Sequence, residues 1–310
     1  ITYMDATQGW IPTTDDDVTD APYKGNDEGI FGFGYDGSVT GVSNLISNAG
    51  VVASDVAAVG TARNYPAGCE YGGDKGIFGF GNTGSVTGVT NLVSNTGVVA
   101  SDVSAVGTAR KGLAGCAYGT DTAIFAYGNT GSDVSMSNLV SDAGVVASDV
   151  TGVGTARDSL AACEYGGDKG IFAYGITSSD VSMSNLVSDA GVVADDVTGV
   201  GTARRIPGAC SYGYDKGIFG FGYADSVTGS VGMTNLVTNV GVVGTDVAAV
   251  GTVRHGVAAC EYGYDKGIFS YGNDSGIKDV TNLVSNAGVV ASDVTGVGTA
   301  RYYLAACSFN

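Results

Sequence analysis

The stretch from Leu113 to Arg157 reads Leu-Ala-Gly-Cys-Ala-Tyr-Gly, then Ala-Ile-Phe-Ala-Tyr-Gly, then Asn-Leu-Val-Ser, then Gly-Val-Val-Ala-Ser-Asp-Val-Thr-Gly-Val-Gly-Thr-Ala-Arg. The same text recurs along the 310-residue chain: Phe31, Phe78, Phe125, Phe172 and Phe219 stand 47 residues apart, and Phe269 follows at 50. The late step is a three-residue insertion between Phe219 and Arg254, in Tyr223-Ala-Asp-Ser-Val-Thr-Gly-Ser-Val-Gly, and insertions mark loops. Within the unit, short β-rich runs separated by Gly, Asn and Asp predict four strands, at about 113–118, 123–127, 134–140 and 145–150. Apolar residues come in short bursts with Gly between them rather than at helical spacing, so helix has little support. A unit of this kind cannot bury a core alone and must stack on its copies.

Four strands in about 47 residues match the blade of a β-propeller, whereas solenoid coils of this length are usually helical. The ends fit that reading. The terminal Leu304-Ala-Ala-Cys307-Ser-Phe309-Asn310 is the first strand of a unit that never continues, while Gly25-Asn-Asp27-Glu-Gly-Ile-Phe31 enters at the first turn. The expected fold is therefore all-β, a six-bladed propeller of four-stranded blades over residues 22–310, closed by the C-terminal strand completing blade one, which removes sheet edges. Residues 1–21 fall outside the repeat. With the only Trp, Trp10, and the run Asp15-Asp16-Asp17, they read as an arm or linker.

Hydrophobic residues make up 44% of the chain and charged residues 15%, enough for a large core. The net charge is −17. Of fourteen basic residues, six are the repeat arginines Arg63, Arg110, Arg157, Arg204, Arg254 and Arg301, and four, Lys75, Lys169, Lys216 and Lys266, occupy one repeated turn. No basic patch remains for nucleic acid, and no apolar run approaches a membrane span.

The unit resembles a kelch-type repeat in having an Arg before the first strand, a small-apolar first strand (Leu-Ala-Ala-Cys), and an apolar second strand ending in Gly (Gly-Ile-Phe-Gly-Phe-Gly). It departs from kelch at the double glycine, replaced as at Gly81-Asn82 and Gly175-Ile176, and in lacking the kelch Trp. The wording Asp-Lys-Gly-Ile-Phe-Gly-Phe-Gly with Asn-Leu-Val-Ser-Asn-Thr-Gly-Val-Val-Ala-Ser-Asp is also similar to repeats of phage tail and appendage proteins, and the lead-in from Ile1 to Pro12 is similar to junctions before their receptor-facing modules. That resemblance implies a viral structural or tail-fibre context, on a virion or an extracellular surface.

Residues copied into every unit are read as scaffold. Cysteines 69, 116, 163, 210, 260 and 307 occur once per unit with no C-x-x-C, which fits small buried hydrophobes better than metal ligands or a redox pair. Each repeat arginine follows an Asp by eight positions, Asp55 before Arg63 through Asp293 before Arg301, so these are expected to pair as structural clamps. Asp27, Asp74, Asp121, Asp168, Asp215 and Asp265 sit in the first turn of each unit, where turn chemistry explains them, and no Ca²⁺ loop pattern is present. His255 is the single histidine and no sialidase-type Ser-x-Asp-x-Gly-x-Thr-Trp box occurs. No catalytic residue, metal ligand or cofactor is assigned.

Function is expected where the copies disagree. The triplets after each Arg differ, giving Asn64, Tyr65, Lys111, Asp158, Arg205, His255, Tyr302 and Tyr303, and so do the loops between second and third strands, giving Asn82, Asn129, Tyr223 and Asn273. In antiparallel blades these two connections emerge on one face, which mixes aromatics, amides and both charges and suits a glycan or protein receptor. The expected function is a non-enzymatic adhesion module. The alternatives are a self-assembling structural protein that binds copies of itself and, last, a glycan-active enzyme.

Overall fold

Each second strand carries a short apolar run, such as Gly-Ile-Phe-Ala at 170–173, buried on both faces, as a strand packed between two neighbouring layers must be. The structure, a computed structural model, describes residues 26–104 and 106–310, together with the backbone of two paired strands, Thr2–Tyr3 and Trp10–Ile11. The arm assigned to 1–21 otherwise lies outside the described residues. The chain is all-β, built of many small antiparallel sheets, six of them three-stranded.

In the unit quoted above, Ala114–Tyr118 pairs with Thr122–Ala126, which pairs in turn with Ser137–Val140. The same order holds for Ala67–Tyr71, Lys75–Asn82 and Val86–Val93, and for Ala161–Tyr165, Lys169–Ala173 and Ser184–Val187. It holds again for Gly208–Tyr212, Lys216–Gly220 and Thr234–Val237, and for Ala258–Tyr262, Lys266–Asn273 and Ile277–Val284. The remaining sheet joins the two ends of the chain. C-terminal Ala305–Phe309 pairs with Glu28–Tyr35, which pairs with Val39–Ile46.

The expected fourth strand is not a full strand. It touches its sheet at two isolated bridges, Val146 with Val140 and Val150 with Ser137. The reason is the Asn138 side chain, whose Nδ2 donates to Ala147 O at 2.9 Å and to Asp149 Oδ1 at 2.9 Å, taking the place of ladder bonds between the bridges. The insertion in the fifth unit forms a small hairpin, Tyr223–Ala224 with Gly229–Ser230, around a 3₁₀ turn at Asp225–Val227.

The first strands pack against one another in unbroken succession, and Ala305–Phe309 lies between Ala258–Tyr262 and Ala67–Tyr71. Backbone hydrogen bonds close a circle at each end of these strands. At one end Tyr65 N donates to Tyr303 O, Gly112 to Tyr65, Ser159 to Gly112, Ile206 to Ser159, Gly256 to Ile206, and Tyr303 back to Gly256. At the other, Gly72, Gly119, Gly166, Gly213, Gly263 and Asn310 donate to the carbonyls of Asp121, Asp168, Asp215, Asp265, Asp27 and Asp74. All six donors of the first circle are left-handed, including β-branched Ile206 at φ 48°, a conformation that costs a non-glycine residue about 1–2 kcal/mol.

The core is divided among the gaps between sheets. In one gap Cys116, Tyr118, Ile124 and Tyr127 meet Leu160, Phe172 and Val187 of the next unit, each fully buried ring or branched chain contributing about 1.5–3 kcal/mol. Every cysteine is free and buried. The Gly of Lys-Gly-Ile-Phe makes room for it: a Cβ on Gly170 would lie 2.5 Å from Cys116 Sγ. The aromatic ending each second strand is also left-handed, as at Tyr127 (φ 65°), and its ring meets the next unit's Phe edge-on, Tyr127 against Phe172 at 5.5 Å.

Candidate functional site

The residues copied into every unit build joints between units. Arg157 is fully buried. Its Nε donates to Tyr174 O at 2.9 Å, its NH1 to Thr155 O at 3.2 Å and its NH2 to Asn185 Oδ1 at 2.8 Å, while the guanidinium stacks 4.2 Å over the Tyr127 ring. Each Asp pairs not with the Arg eight positions later, as expected, but with the Arg of the preceding unit. Arg157 faces Asp196 of the following unit at 4.0 Å, and Arg110 faces Asp149 at 3.9 Å. The packing of successive units brings the Thr-Ala-Arg segment of one unit against the Asp of the next. Asp196 accepts from Thr155 N at 3.1 Å and Thr155 Oγ1 at 2.6 Å, and Asp55 accepts from Thr299 in the same way across the joined ends. Burial alone would raise the Asp196 carboxyl; hydrogen bonds from Thr155 and Asn185 with the Arg157 charge outweigh it and hold the carboxyl below the usual range.

The positions where the copies differ meet at the end marked by the circle through Tyr65 and Tyr303. The first residue of each triplet bridges to a residue at, or just beyond, the end of the second strand of its own sheet: Asn64 with Asn82, Lys111 with Asn129, Asp158 with Ile176, Arg205 with Tyr223, His255 with Asn273 and Tyr302 with Tyr35. Of the twelve residues singled out from sequence nine lie in connections, while Asn82 and Asn273 end second strands and Tyr223 opens the inserted hairpin. Five of the twelve join in one aromatic cluster. Tyr65 stacks on Tyr303 at 3.8 Å, Tyr303 lies 4.2 Å from Tyr302, Tyr302 meets Tyr35 edge-on at 5.7 Å, and His255 bridges Tyr302 to Tyr223. These rings are half-buried. Tyr35, not among the residues singled out from sequence, is the first unit's copy of Asn82, 47 residues before it, and that spacing is its signal.

Polar groups rim the cluster. Arg205 stacks on Tyr223 at 4.5 Å and pairs with Asp180 at 2.7 Å and Asp225 at 3.0 Å. Lys111 Nζ sits 5.9 Å over Tyr65. His255 Nδ1 and Ser230 Oγ share a 2.9 Å hydrogen bond, and burial holds the imidazole below its ordinary value. Burial likewise raises the Asp158 carboxyl, with Ser159 opposing and Asp133 adding to the rise. Asn129 Nδ2 donates to Asp133 at 2.8 Å and Asn82 Nδ2 to Asn64 Oδ1 at 3.2 Å, so the amides are already oriented.

A second feature, unforeseen from sequence, lies on the axis enclosed by the first strands. Three adjoining cavities share lining residues along it. One of about 70 Å³ lies beneath the tyrosines, one of about 90 Å³ is walled by Gly, Ala, Pro and Leu, and one of about 50 Å³ is lined by the six cysteines and by Glu70, Glu164 and Glu261. These glutamates follow the cysteine in alternate units, with Ala117, Ser211 and Ser308 in the others. Burial pushes the Glu70 and Glu261 carboxyls up; Ser308 and Asn26 hydrogen bonds oppose the rise at Glu70, while the charges of Glu70 and Glu164 add to it at Glu261. The signal was an alternation of Glu with small residues beside an invariant Cys.

Among the described residues no helix is long and apolar enough to cross a membrane. No protein-family model matches this chain, and no curated protein matches it either.

Proposed function

We propose that the six sheets are the blades of a kelch-like β-propeller, each with its fourth segment reduced to two bridges, and that the propeller is a non-enzymatic binding module for a glycan. The unbroken succession of first strands and the two hydrogen-bonded circles support the architecture. The single observation that carries the function is the cluster of Tyr35, Tyr65, Tyr223, His255, Tyr302 and Tyr303 at one end of the axis. Aromatic faces beside fixed amides and paired charges are what a sugar needs: apolar ring faces to stack on, and donors and acceptors for its hydroxyls. The sixfold scaffold holds these groups without dictating their identity. The resemblance to phage tail repeats supports a virion or extracellular setting for such a module.

The test is a glycan array probed with the labelled chain and with Tyr302→Ala/Tyr303→Ala. Selective binding lost in the double variant, at a melting temperature within a few degrees of the parent, supports the reading. An array on which neither protein binds, or both bind equally, overturns it.

A second reading, self-assembly, is favoured by one observation. Val51, Val98, Val145, Val192, Val242 and Val289 are 58–65% exposed at equivalent positions of the outer segments. Concentration-dependent growth in light scattering that Val145→Lys/Val192→Lys abolishes is the result that reading requires.

A further inference from the structure

We propose that the mouth of the axial channel, at the aromatic end, is a subsite for an acetamido group, so that the ligand is an uncharged glycan bearing an N-acetylhexosamine. This rests on the glycan reading and names the class of sugar that face takes.

Three observations carry it. First, the hydrogen-bonded circle through Tyr65 and Tyr303 keeps six left-handed residues, a conformation that glycine adopts freely and that Gly112 and Gly256 supply. Tyr65, Ser159, Ile206 and Tyr303 hold it at φ 53°, 56°, 48° and 55°, and strained backbone of this kind gathers where a side chain is needed. Their order around the circle sets Tyr65 opposite Ile206, Tyr303 opposite Ser159, and the two glycines opposite each other. The glycines make room for their neighbours. A Cβ on Gly256 would lie 3.0 Å from the Tyr303 ring, and one on Gly112 would lie 3.5 Å from Asp158 Cβ and 3.6 Å from Ser159 Oγ.

Second, each unit contributes one apolar residue just beneath the circle, giving a collar of Pro66, Leu113, Leu160, Pro207, Val257 and Leu304 around a cavity of about 70 Å³. That exceeds the about 10–15 Å³ one water needs and falls far short of the about 300–1,000 Å³ of a pocket that encloses a whole ligand. It takes a substituent of a few atoms, and the collar makes that substituent apolar.

Third, the polar groups of the rim complement an amide. The Ser159 hydroxyl is hydrogen-bonded to the Asp158 carboxylate, which leaves lone pairs of Oγ to accept an N–H. The Tyr65 and Tyr303 hydroxyls bond each other, using one of their two protons and leaving the other for a carbonyl oxygen. Burial, then Tyr303 and Asp158, raise the Tyr65 hydroxyl above its ordinary value, so it stays a donor. A methyl for the collar, an N–H for Ser159 and a C=O for the tyrosines together describe an acetamido group; the methyl of a 6-deoxy sugar would leave both polar partners unmet. Charge narrows the class further. Arg205 is paired with Asp180 and Asp225, and Lys111 faces both Asp133 and Asp158, so the rim is net acidic and disfavours a carboxylated or sulfated sugar.

The experiment is saturation-transfer NMR on the full chain with the methyl glycosides of N-acetylglucosamine, N-acetylgalactosamine, N-formylglucosamine, glucose and fucose. The expected result is binding of at least one N-acetylated glycoside with the strongest transfer on its acetamido methyl, and binding of the three sugars without an acetyl group at least about tenfold weaker. Ser159→Gly/Ile206→Gly puts at both positions the residue this backbone favours and should melt within a few degrees of the parent. It should bind the N-acetylated glycoside at least about tenfold more weakly. A sugar without the acetyl group bound as tightly, or an affinity that the double variant leaves unchanged, overturns the acetamido subsite while the glycan reading stands. No saccharide bound up to about 10 mM overturns both.

Discussion

Truncating one repeat arginine, Arg157→Ala, should cost about 3–5 kcal/mol, the range for breaking one member of a buried charged network. The contacts set that size. Removal strips Asn185 Oδ1 and Tyr174 O of donors at 2.8 and 2.9 Å in a site where the guanidinium is fully buried, and each buried acceptor so orphaned costs about 1–3 kcal/mol. Loss of the stacking over Tyr127, 4.2 Å away, adds about 0.5–2 kcal/mol. Relief of the arginine's own desolvation, which lowers its pKa, offsets part of the total. The partly exposed Asp196 at 4.0 Å adds little. The assay is urea unfolding followed by fluorescence, with the midpoint falling and the slope unchanged. Arg157→Met keeps the stem and some stacking, and should cost less than Arg157→Ala. A loss below about 1 kcal/mol for Arg157→Ala would refute the structural role. Glycan binding abolished at full stability would refute it too, because it would make the arginines a ligand ring.

The joint carboxylates Asp55, Asp102, Asp149, Asp196, Asp246 and Asp293 all titrate below the ordinary range when folded, so their contribution is full above the unfolded value near ~3.9 and is lost as pH falls through the folded values. Acid unfolding monitored by circular dichroism should therefore begin below about pH 4, and a chain equally stable at pH ~2 and pH ~5 would contradict this. Glu261 has the opposite sign: its raised folded value gives stability that is present below the unfolded value near ~4.3 and lost as pH rises toward the folded one. Glu261→Gln should flatten the decline on the neutral side in thermal melts, and an unchanged decline would count against it. Gly170→Ala drives a methyl toward Cys116 Sγ and should cost about 1–3 kcal/mol, with Cys116→Ala recovering part of the loss in a double-mutant cycle; simple additivity would show that the two do not touch.

The repeat makes much of this architecture legible in the sequence. Strands around Phe125, the match of Phe309 to Tyr118, and the loop positions of Tyr65, Tyr223, His255, Tyr302 and Tyr303 follow from spacing and from differences between copies. Three features did not. The fourth strand reads as β-rich in Val145 to Val150, yet the Asn138 side chain takes a backbone acceptor in that ladder, which no propensity records. The regular recurrence of an Asp eight positions before each Arg suggests a clamp between those two, while packing between units brings Asp196 to Arg157 across 39 positions of sequence. The axial glutamates carry one signal in the sequence, Glu alternating with a small residue after each cysteine, but nothing within a single unit gives it a meaning. Their meaning arises only when alternate units are placed around one axis.

Closure is the central claim, because the circles, the axial channel and the loop face all depend on the last strand reaching the first sheet. The direct measurement is calorimetry on the full chain and on a chain lacking Leu304 to Asn310, which carries the pairs of Cys307 with Ile30 and Phe309 with Glu28. The account predicts one cooperative transition for the full chain and a lower, broadened one for the shortened chain, with an open end on either side of the missing strand. A shortened chain that melts at the same temperature, as sharply as the full one, would contradict it.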